Sequence, residues 1–237
     1  YIHRCHTRVS RHIAPSGRFL LDAGSWPIQY PEYLEYSKGY DKRICADISH
    51  TALQAARRRI GDHGLFVVAD VSQLPFADNA FDGVVSLHTI HHIPIDEHVR
   101  AYLDLHRVLA PGRNAAVVNG WDNSPMMAFF NRIKQLILRL RHGGRKRGKG
   151  DFEHPAMAGD AQAPSTGTFI AKNNPSWLME QLRGKLDYKL FVWRSAGTNF
   201  LRFFIREKWF GRRLLRLLFW LEERFPRFFG RVGRYPL

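Results

Sequence analysis

The sequence predicts an α/β fold: a doubly wound, mostly parallel sheet with helices on both of its faces. Two features of residues 18–125 predict it. Short apolar runs alternate there with helical segments. Each run is continuous rather than interrupted by polar residues, which is typical of strands buried on both faces. The length of 237 residues suits one large domain or about one and a half, at about 150 residues each.

Five apolar runs are the predicted strands of this sheet. They comprise residues 19–21, 43–46, 65–69, 81–87 and 115–118. After the second run, Ser49 can cap a helix over residues 51–60. Before the fifth run, Asp96 can cap a helix that continues to Leu109. Repetition of strand, helix and strand in this way produces a doubly wound sheet.

Residues 1–17 precede the predicted core and are polar and basic, so we expect an N-terminal helix or a frayed end there. The segment contains His3, Cys5, His6 and His12, but their spacing matches no zinc-binding pattern, and no metal site is predicted. The chain begins at Tyr1 without Met or a signal peptide, as an excised fragment would.

Residues 126–237 form a second predicted region, a basic helical extension that we expect to contribute the substrate site or a lid. Its first expected elements are a helix over 126–142 and a mobile loop over 143–168. A helix from Pro175 to about Leu182 and a strand over 188–193 are expected next. Residues 200–224 are expected to form either one long helix or a strand and a helix.

The two regions differ sharply in charge. Residues 1–125 hold 13 basic and 13 acidic side chains, so the whole net charge of +15 lies in residues 126–237. Such asymmetry indicates nucleic acid, an anionic membrane surface or an acidic partner. Two cysteines exclude a disulfide framework, and no apolar run is long enough for a transmembrane helix. A cytoplasmic protein, with or without membrane association, is therefore expected.

An acid follows each of the first three predicted strands: Asp22, Asp47 and Asp70. In an open parallel sheet, ligands bind outside the carboxyl ends of the strands, so these acids are candidate binding residues. Asp47 lies 23 residues after Gly24, close to the roughly 20 residues expected for an acid that binds a ribose. The alternative is that each acid caps the helix or loop that follows it.

These motifs resemble, in order and spacing, those of class I S-adenosylmethionine-dependent methyltransferases, a Rossmann-like family. The matching segments are LLDAGS (20–25), ICADIS (44–49), VADVSQLPF (68–76), FDGVVSLHTIHHI (81–93) and RVLAPGR (107–113). The LPF motif with the FD pair after it is most similar to the methyltransferases of ubiquinone and menaquinone biosynthesis. The resemblance covers about residues 18–120, or half of the chain.

The resemblance implies S-adenosylmethionine as the cofactor and a place for each motif residue. Asp22 and Gly24 would face its methionine end. Asp47 would bind the ribose hydroxyls, and Ile48 would pack on the adenine. The carboxyl end of the sheet would therefore hold the whole cofactor.

The remaining motif residues would complete the site. Asp70 and Val71 would contact the adenine edge, and His88 would lie near the reactive methyl group. His88, His91 and His92 are candidates for a general base. The alternative is that these histidines pack against their neighbours or fix the loop.

The chain departs from the family in the glycine-rich loop, whose sequence is Gly24-Ser25-Trp26-Pro27-Ile28. The family usually has glycines at alternate positions, because glycine permits unusual backbone angles and lets a ligand approach the main chain. Three interpretations are open. Trp26 turns outward and cofactor binding survives, or the cofactor is bound weakly or not at all, or the pocket serves another ligand.

The predicted function is methyl transfer to a small, lipophilic or lipid-like acceptor. The alternative is a non-catalytic methyltransferase-like protein that binds a membrane or a partner through its basic half. Aromatic residues interleaved with arginine favour an anionic membrane surface over nucleic acid. An RNA methyltransferase is less favoured, because Ser86-Leu87-His88-Thr89 stands where amino-methylating enzymes carry an Asn/Asp-Pro-Pro-aromatic motif.

Overall fold

The computed structural model describes residues 1–122, 124–141, 170–205 and 210–237. A five-stranded sheet lies at its centre. The strands are β1 (Gly17–Ala23), β2 (Tyr40–Asp47), β3 (Gly64–Val68), β4 (Gly83–Leu87) and β5 (Ala115–Val118). Their order is β3-β2-β1-β4-β5, and all four pairings are parallel. The predicted parallel sheet is confirmed, with each strand at its predicted place.

Nine described helices surround the sheet, and a small antiparallel pair of strands accompanies it. The helices are α1 (Ile2–His6), α2 (Pro31–Leu34), α3 (His50–Ile60), α4 (His98–Arg107), α5 (Pro125–Arg141), α6 (Pro175–Leu182), α7 (Thr198–Phe204), α8 (Gly211–Arg224) and α9 (Pro226–Val232). The strand pair is β6 (Val192–Arg194) with β7 (Tyr235–Pro236). The predicted loop over 143–168 lies outside the described residues.

Successive residues of β1 point into cores on opposite faces of the sheet. Leu21 packs in a cluster that α4 completes with Leu105. Leu20 packs in a second cluster with Val9 from the N-terminal segment and Trp193 from β6. Both faces of the sheet are therefore covered, which explains the continuous apolar runs of the sequence.

The path of the chain through the sheet determines where a ligand can bind. After β3, at one edge, the chain crosses to β4 on the other side of β1. The order of the strands therefore reverses between β1 and β4. The crevice at the carboxyl ends of these two strands is the topological switch point, where open α/β sheets bind their ligands.

The predicted helix cap at Ser49 is present, and the predicted cap at Asp96 is wrong. The Ser49 side chain accepts a hydrogen bond from the Ala52 N–H, and Asn174 accepts one from the Trp177 N–H. Asp96, in contrast, does not cap α4. It lies inside a 3₁₀ turn over residues 95–97, and the helix begins after that turn, at His98.

The basic half also differs from its prediction in two places. The strand expected over residues 188–193 is limited to Val192–Arg194, although Phe191 exchanges two backbone hydrogen bonds with Leu237. The segment 200–224 contains two helices, α7 and α8, rather than one helix or a strand and a helix. Phe210 precedes α8 with a left-handed backbone, φ +56°, which interrupts any continuous helix.

Helix α8 is tied to the N-terminal segment by a fully buried carboxylate, that of Glu222. Its oxygens accept hydrogen bonds from the Tyr1 hydroxyl at 2.5 Å, from the Ser195 N–H at 2.9 Å and from the Ser195 hydroxyl at 2.5 Å. Arg8 forms an ion pair with it at 3.0 Å. None of the described helices is both long enough and apolar enough to cross a bilayer.

Candidate active site at the carboxyl end of the sheet

The loop after β1 has a glycine-like backbone at three alternate positions. The angle φ is +72° at Gly24, +48° at Trp26 and +50° at Ile28. Side chains disfavour this region, because the Cβ atom crowds the backbone. At Gly24 no larger residue fits, since an added Cβ would lie 2.1 Å from Thr89 Cγ2. The loop therefore has the conformation that glycines favour, although two of the three positions hold larger residues.

The side chains of the two larger residues point in different directions. Ile28 is buried in a cluster with Cys45 and Leu53. Trp26 is 41% exposed, and its ring centroid lies 5.8 Å from that of His92, in the turn after β4. Trp26 thus extends from the β1 loop to the β4 loop at the edge of the crevice.

The Asp47 carboxylate holds the loop in this conformation. One oxygen accepts a hydrogen bond from the Trp26 N–H at 2.9 Å, and the other accepts one from the Ser49 N–H at 2.8 Å. A carboxylate offers about four lone-pair sites, so each oxygen can accept a further bond. Asp47 therefore caps the backbone that follows it, as the alternative interpretation expected. Its oxygens can still accept hydrogen bonds from a ribose.

Residues beyond β2 and β3 offer surfaces suited to an adenine ring. Ile48, directly after Asp47, is 75% exposed although it is apolar. Asp70 is exposed, and one of its oxygens accepts the Ser72 N–H at 2.8 Å. Val71 is buried in the core, so only its backbone is available to a ligand. An exposed apolar platform beside exposed acceptors fits the adenosine part of a nucleotide-like cofactor.

Asp22 lies at the end of β1 but is buried. Its Oδ2 atom accepts hydrogen bonds from Arg43 Nε at 3.1 Å and from Arg43 Nη2 at 2.5 Å. Arg43 also donates to the Tyr33 carbonyl oxygen. Sequence reasoning missed Arg43, although a lone arginine at the start of a buried strand requires a partner. The pair fixes β1 to β2 beneath the crevice, and the predicted contact of Asp22 with the methionine end stays a prediction.

His88 follows β4 with a left-handed backbone, φ +59°, and its N–H donates to the Val118 carbonyl oxygen at 2.7 Å. Its ring lies edge-on to Trp193 at 4.9 Å and to Tyr235 at 5.5 Å, measured between centroids. Burial lowers the pKa of His88 to about 3, so the imidazole is neutral at neutral pH. A neutral ring with a low pKa, among aromatic neighbours, is better suited to packing and to contact with a bound ligand than to general-base catalysis.

The other two candidate bases also lie at this end of the sheet. His91 Nδ1 is 2.6 Å from Asn119 Oδ1, and burial lowers the pKa of His91 to about 4. The His92 ring centroid is 4.1 Å from that of His91. All three histidines therefore flank the β4 side of the crevice, where their predicted roles remain predictions.

An aromatic wall extends from His88 toward the N-terminal segment. Its members are His6, Tyr30, Tyr33, His88, Trp193 and Tyr235. The His6 ring stacks on Trp193 at 5.4 Å and contacts Tyr30 at 4.4 Å. Sequence reasoning missed this wall, because no local pattern connects its members. They lie in α1, in or just before α2, directly after β4, and in the β6–β7 pair.

Histidines of the N-terminal segment make a contact that their spacing did not predict. His3 Nδ1 and His6 Nδ1 lie 2.6 Å and 3.3 Å from the two carboxylate oxygens of Glu32. The ligand atoms of these three residues lie within 4.8 Å of one another. As a hydrogen-bonded group, they connect α1 to the start of α2 beside the aromatic wall.

A cavity of 1220 Å³ runs along the free edge of β5, away from the crevice. Its lining mixes apolar residues such as Trp121 and Leu178 with polar ones such as His106 and Asn119, and it includes none of the predicted cofactor residues. The acids and the glycine-like loop instead favour the crevice at the switch point.

Comparisons with known proteins agree with this geometry. Residues 21–117 match a family model described as a methyltransferase domain. Over 105 residues, 41% of each chain, the sequence is 34% identical to the ubiquinone/menaquinone biosynthesis C-methyltransferase UbiE of Coxiella burnetii. Over 76 residues it is 42% identical to cycloartenol-C-24-methyltransferase 1 of Oryza sativa subsp. japonica, covering 30% of this chain and 21% of that protein.

The chain matches less than half the length of these curated relatives. Among solved structures, it resembles the putative methyltransferase in a complex with the Trm112 methyltransferase activator of Haloferax volcanii, with a TM-score of 0.57 and 15% identity. That match covers 98% of this chain and 86% of the other, and it shows the fold alone. The match over residues 21–117 supports a class I methyltransferase domain in this chain, with S-adenosylmethionine as its cofactor.

Proposed function

We propose that the chain transfers a methyl group from S-adenosylmethionine to a small, lipophilic acceptor. The observation that carries the proposal is the loop of residues 24–28, which has glycine-like φ angles at three alternate positions and is hydrogen-bonded to Asp47 beside the switch point. That conformation costs free energy at Trp26 and Ile28. Because this conformation is kept at two positions that lack glycine, we infer that the loop still binds a ligand.

The residues around the crevice divide into cofactor and acceptor contacts. Asp47 would accept hydrogen bonds from the ribose hydroxyls, Ile48 would cover one face of the adenine, and Asp70 with the Val71 backbone would contact its edge. Gly24 allows the main chain to approach the methionine part, above the buried Asp22. When bound, S-adenosylmethionine supplies an electrophilic methyl group on a sulfonium sulfur. The chain contributes mainly position and exclusion of water.

The acceptor would lie beside His88, against the aromatic wall. Rings at this position supply large apolar contact areas, which suits a lipophilic acceptor. The names of the two curated relatives, a ubiquinone/menaquinone C-methyltransferase and a cycloartenol C-24-methyltransferase, describe lipophilic acceptors as well. They support the class of acceptor and leave its identity open.

Calorimetry with S-adenosylhomocysteine tests the cofactor site in the Asp47→Asn variant, which retains the size of the side chain. We expect the dissociation constant to rise about 10- to 150-fold, the effect of one charge-assisted hydrogen-bond pair of about 1.5–3 kcal/mol. Asp62→Asn, an exposed acid outside the crevice, is the matched control and should bind as the unaltered chain does. Equal affinity in both variants, or no binding by the unaltered chain, would contradict the proposal.

We also propose that the basic half lies on an anionic membrane surface from which a lipid-like acceptor reaches the crevice. An exposed apolar stripe runs along α8, the residues on either side of it and the start of α9. It is formed by Phe210, Leu214, Leu217, Trp220, Phe225 and Phe228. Exposed arginines flank this stripe at Arg212, Arg213 and Arg216. Exposed apolar residues between bases are typical of helices that lie in a lipid interface, and the positive charge favours anionic lipid.

A further inference from the structure

We propose that Arg194 binds an acidic group of the methyl acceptor, so that the acceptor is an aromatic or ring-bearing acid rather than a neutral lipid. The inference rests on the proposed methyl transfer and names the chemistry of its acceptor. Arg194 has no counterpart in the matched methyltransferase domain, since it lies in β6, outside residues 21–117.

The first observation is that Arg194 is buried without an acidic partner. It is only 8% exposed. Within the described ranges, no carboxylate forms an ion pair with it and its guanidinium donates no hydrogen bond. Its Nε atom is completely buried and has no acceptor. A buried arginine is normally paired with an acid, because an uncompensated buried charge is costly. We therefore expect this guanidinium to bind an anionic group of a ligand.

The second observation is where Arg194 lies. Its guanidinium carbon is 4.6 Å from the ring centroid of Tyr235 and 5.4 Å from that of Trp193. These two rings are the ones that contact His88 edge-on. Arg194 is therefore part of the same cluster as the residue that follows β4 at the switch point, on the acceptor side of the crevice.

A second unpartnered donor lies in the same cluster. The buried Trp193 Nε1 also lacks a hydrogen-bond acceptor. Two buried N–H donors on adjacent residues, each without a hydrogen-bond acceptor, favour a ligand that brings acceptor oxygens. A guanidinium binds a carboxylate or phosphate through two parallel hydrogen bonds. The surrounding rings would pack against the apolar part of the same molecule.

The test compares two ligands that differ only in charge, 4-butylbenzoate and 4-butylbenzamide, by calorimetry on the full chain. We expect the acid to bind at least about tenfold more tightly than the amide, as a charge-assisted hydrogen-bond pair would give. Arg194→Gln should abolish that preference, and Arg194→Lys should retain part of it. Arg231→Gln, an exposed arginine of α9, removes the same charge elsewhere and should change nothing.

Thermal melting checks that each variant is folded, and S-adenosylhomocysteine binding separates the two proposals. The Arg194→Gln variant should bind S-adenosylhomocysteine normally. If it loses that ligand but retains 5′-methylthioadenosine, which lacks the carboxylate, Arg194 holds the cofactor and the inference is wrong. It is equally wrong if the unaltered chain binds acid and amide alike. Failure of the unaltered chain to bind S-adenosylhomocysteine would instead contradict the proposed function.

Discussion

Trp26 shows that a residue other than glycine can adopt a backbone conformation that glycine favours. Its backbone is left-handed, with φ +48°, a conformation that costs a non-glycine residue about 1–2 kcal/mol. The hydrogen bond from its N–H to Asp47 offsets part of that cost. Its half-exposed ring reaches His92 across the edge of the crevice. The ring thus lies at the edge of the crevice rather than wholly outside it, and the three interpretations of the loop remain predictions.

Replacement of Trp26 by glycine should relax the backbone and open the crevice. We expect Trp26→Gly to lower the dissociation constant for S-adenosylhomocysteine about fivefold, equivalent to about 1 kcal/mol, because the indole ring no longer narrows the edge of the crevice. Calorimetry and urea unfolding measure binding and stability in the same preparation.

Asn79→Gly is a matched control for this substitution. Asn79 also has a positive φ, +58°, but it lies in a turn that lines the cavity beside β5. Its substitution should leave S-adenosylhomocysteine binding unchanged. If Trp26→Gly weakens binding instead, the indole contacts the ligand and the loop is not a steric obstacle.

Sequence alone could place three acids at the carboxyl end of the sheet but could not identify their partners. Asp22, Asp47 and Asp70 were predictable because each ends an apolar run, and the ends of parallel strands share one edge of the sheet. The burial of Asp22 against Arg43 was not predictable in the same way, because it depends on the register between β1 and β2. Arg194 illustrates the same limit, since its neighbours converge only after the chain folds.

Among the elements, the five strands were predictable because strands buried on both faces have continuous apolar runs. The helices of the basic half were harder to predict, because their sequence patterns are less regular. Its helices mix arginine with phenylalanine and leucine on several sides, so no single apolar stripe marks where a helix begins or ends. Helix α9 was not predicted for this reason, and helix α2 and strand β7 were not predicted because they are short. Asp96 has a residue type that is typical of helix caps, but a 3₁₀ turn precedes the helix there.

Adjacent glutamates of α8 offer a direct measure of how firmly this helix is attached. Glu222→Ala should lower the free energy of unfolding by about 3–5 kcal/mol, because Arg8 loses a buried partner. Glu223→Ala should cost clearly less, because the Glu223 side chain is 30% exposed, although it pairs with Arg8 at 2.8 Å as well as with Arg11. Urea unfolding of both variants gives the comparison. Equal losses would show that the fully buried carboxylate contributes no more than the partly exposed one.

For the whole molecule, the separation of charge has a measurable consequence. The neutral first half and the basic second half predict binding to anionic vesicles that fades as salt screens the charges. Each base at an anionic surface contributes about 1 kcal/mol, so Arg213→Gln with Arg216→Gln should weaken binding roughly thirtyfold. Sedimentation with neutral and anionic vesicles across a salt series measures this effect.

Helix α3 supplies the matched control, because Arg57 and Arg58 are also exposed and adjacent to one another. Replacing both by glutamine removes the same charge far from the α8 stripe and should leave vesicle binding almost unchanged. Equal, negligible binding of the unaltered chain to both kinds of vesicle would reject the membrane proposal. It would leave the proposed methyl transfer intact, since the crevice does not depend on the stripe.

The hydrogen bond between Tyr1 and Glu222 spans 221 positions of the sequence, and this distance has a consequence for synthesis on the ribosome. At about 5–20 residues per second, roughly 10–45 seconds separate the appearance of the two partners. Throughout that interval, Arg8 emerges without the carboxylate that neutralises it, and His6 emerges without the Trp193 ring on which it stacks. The sheet can form from the first half meanwhile. The aromatic wall can assemble only when strands β6 and β7 have emerged.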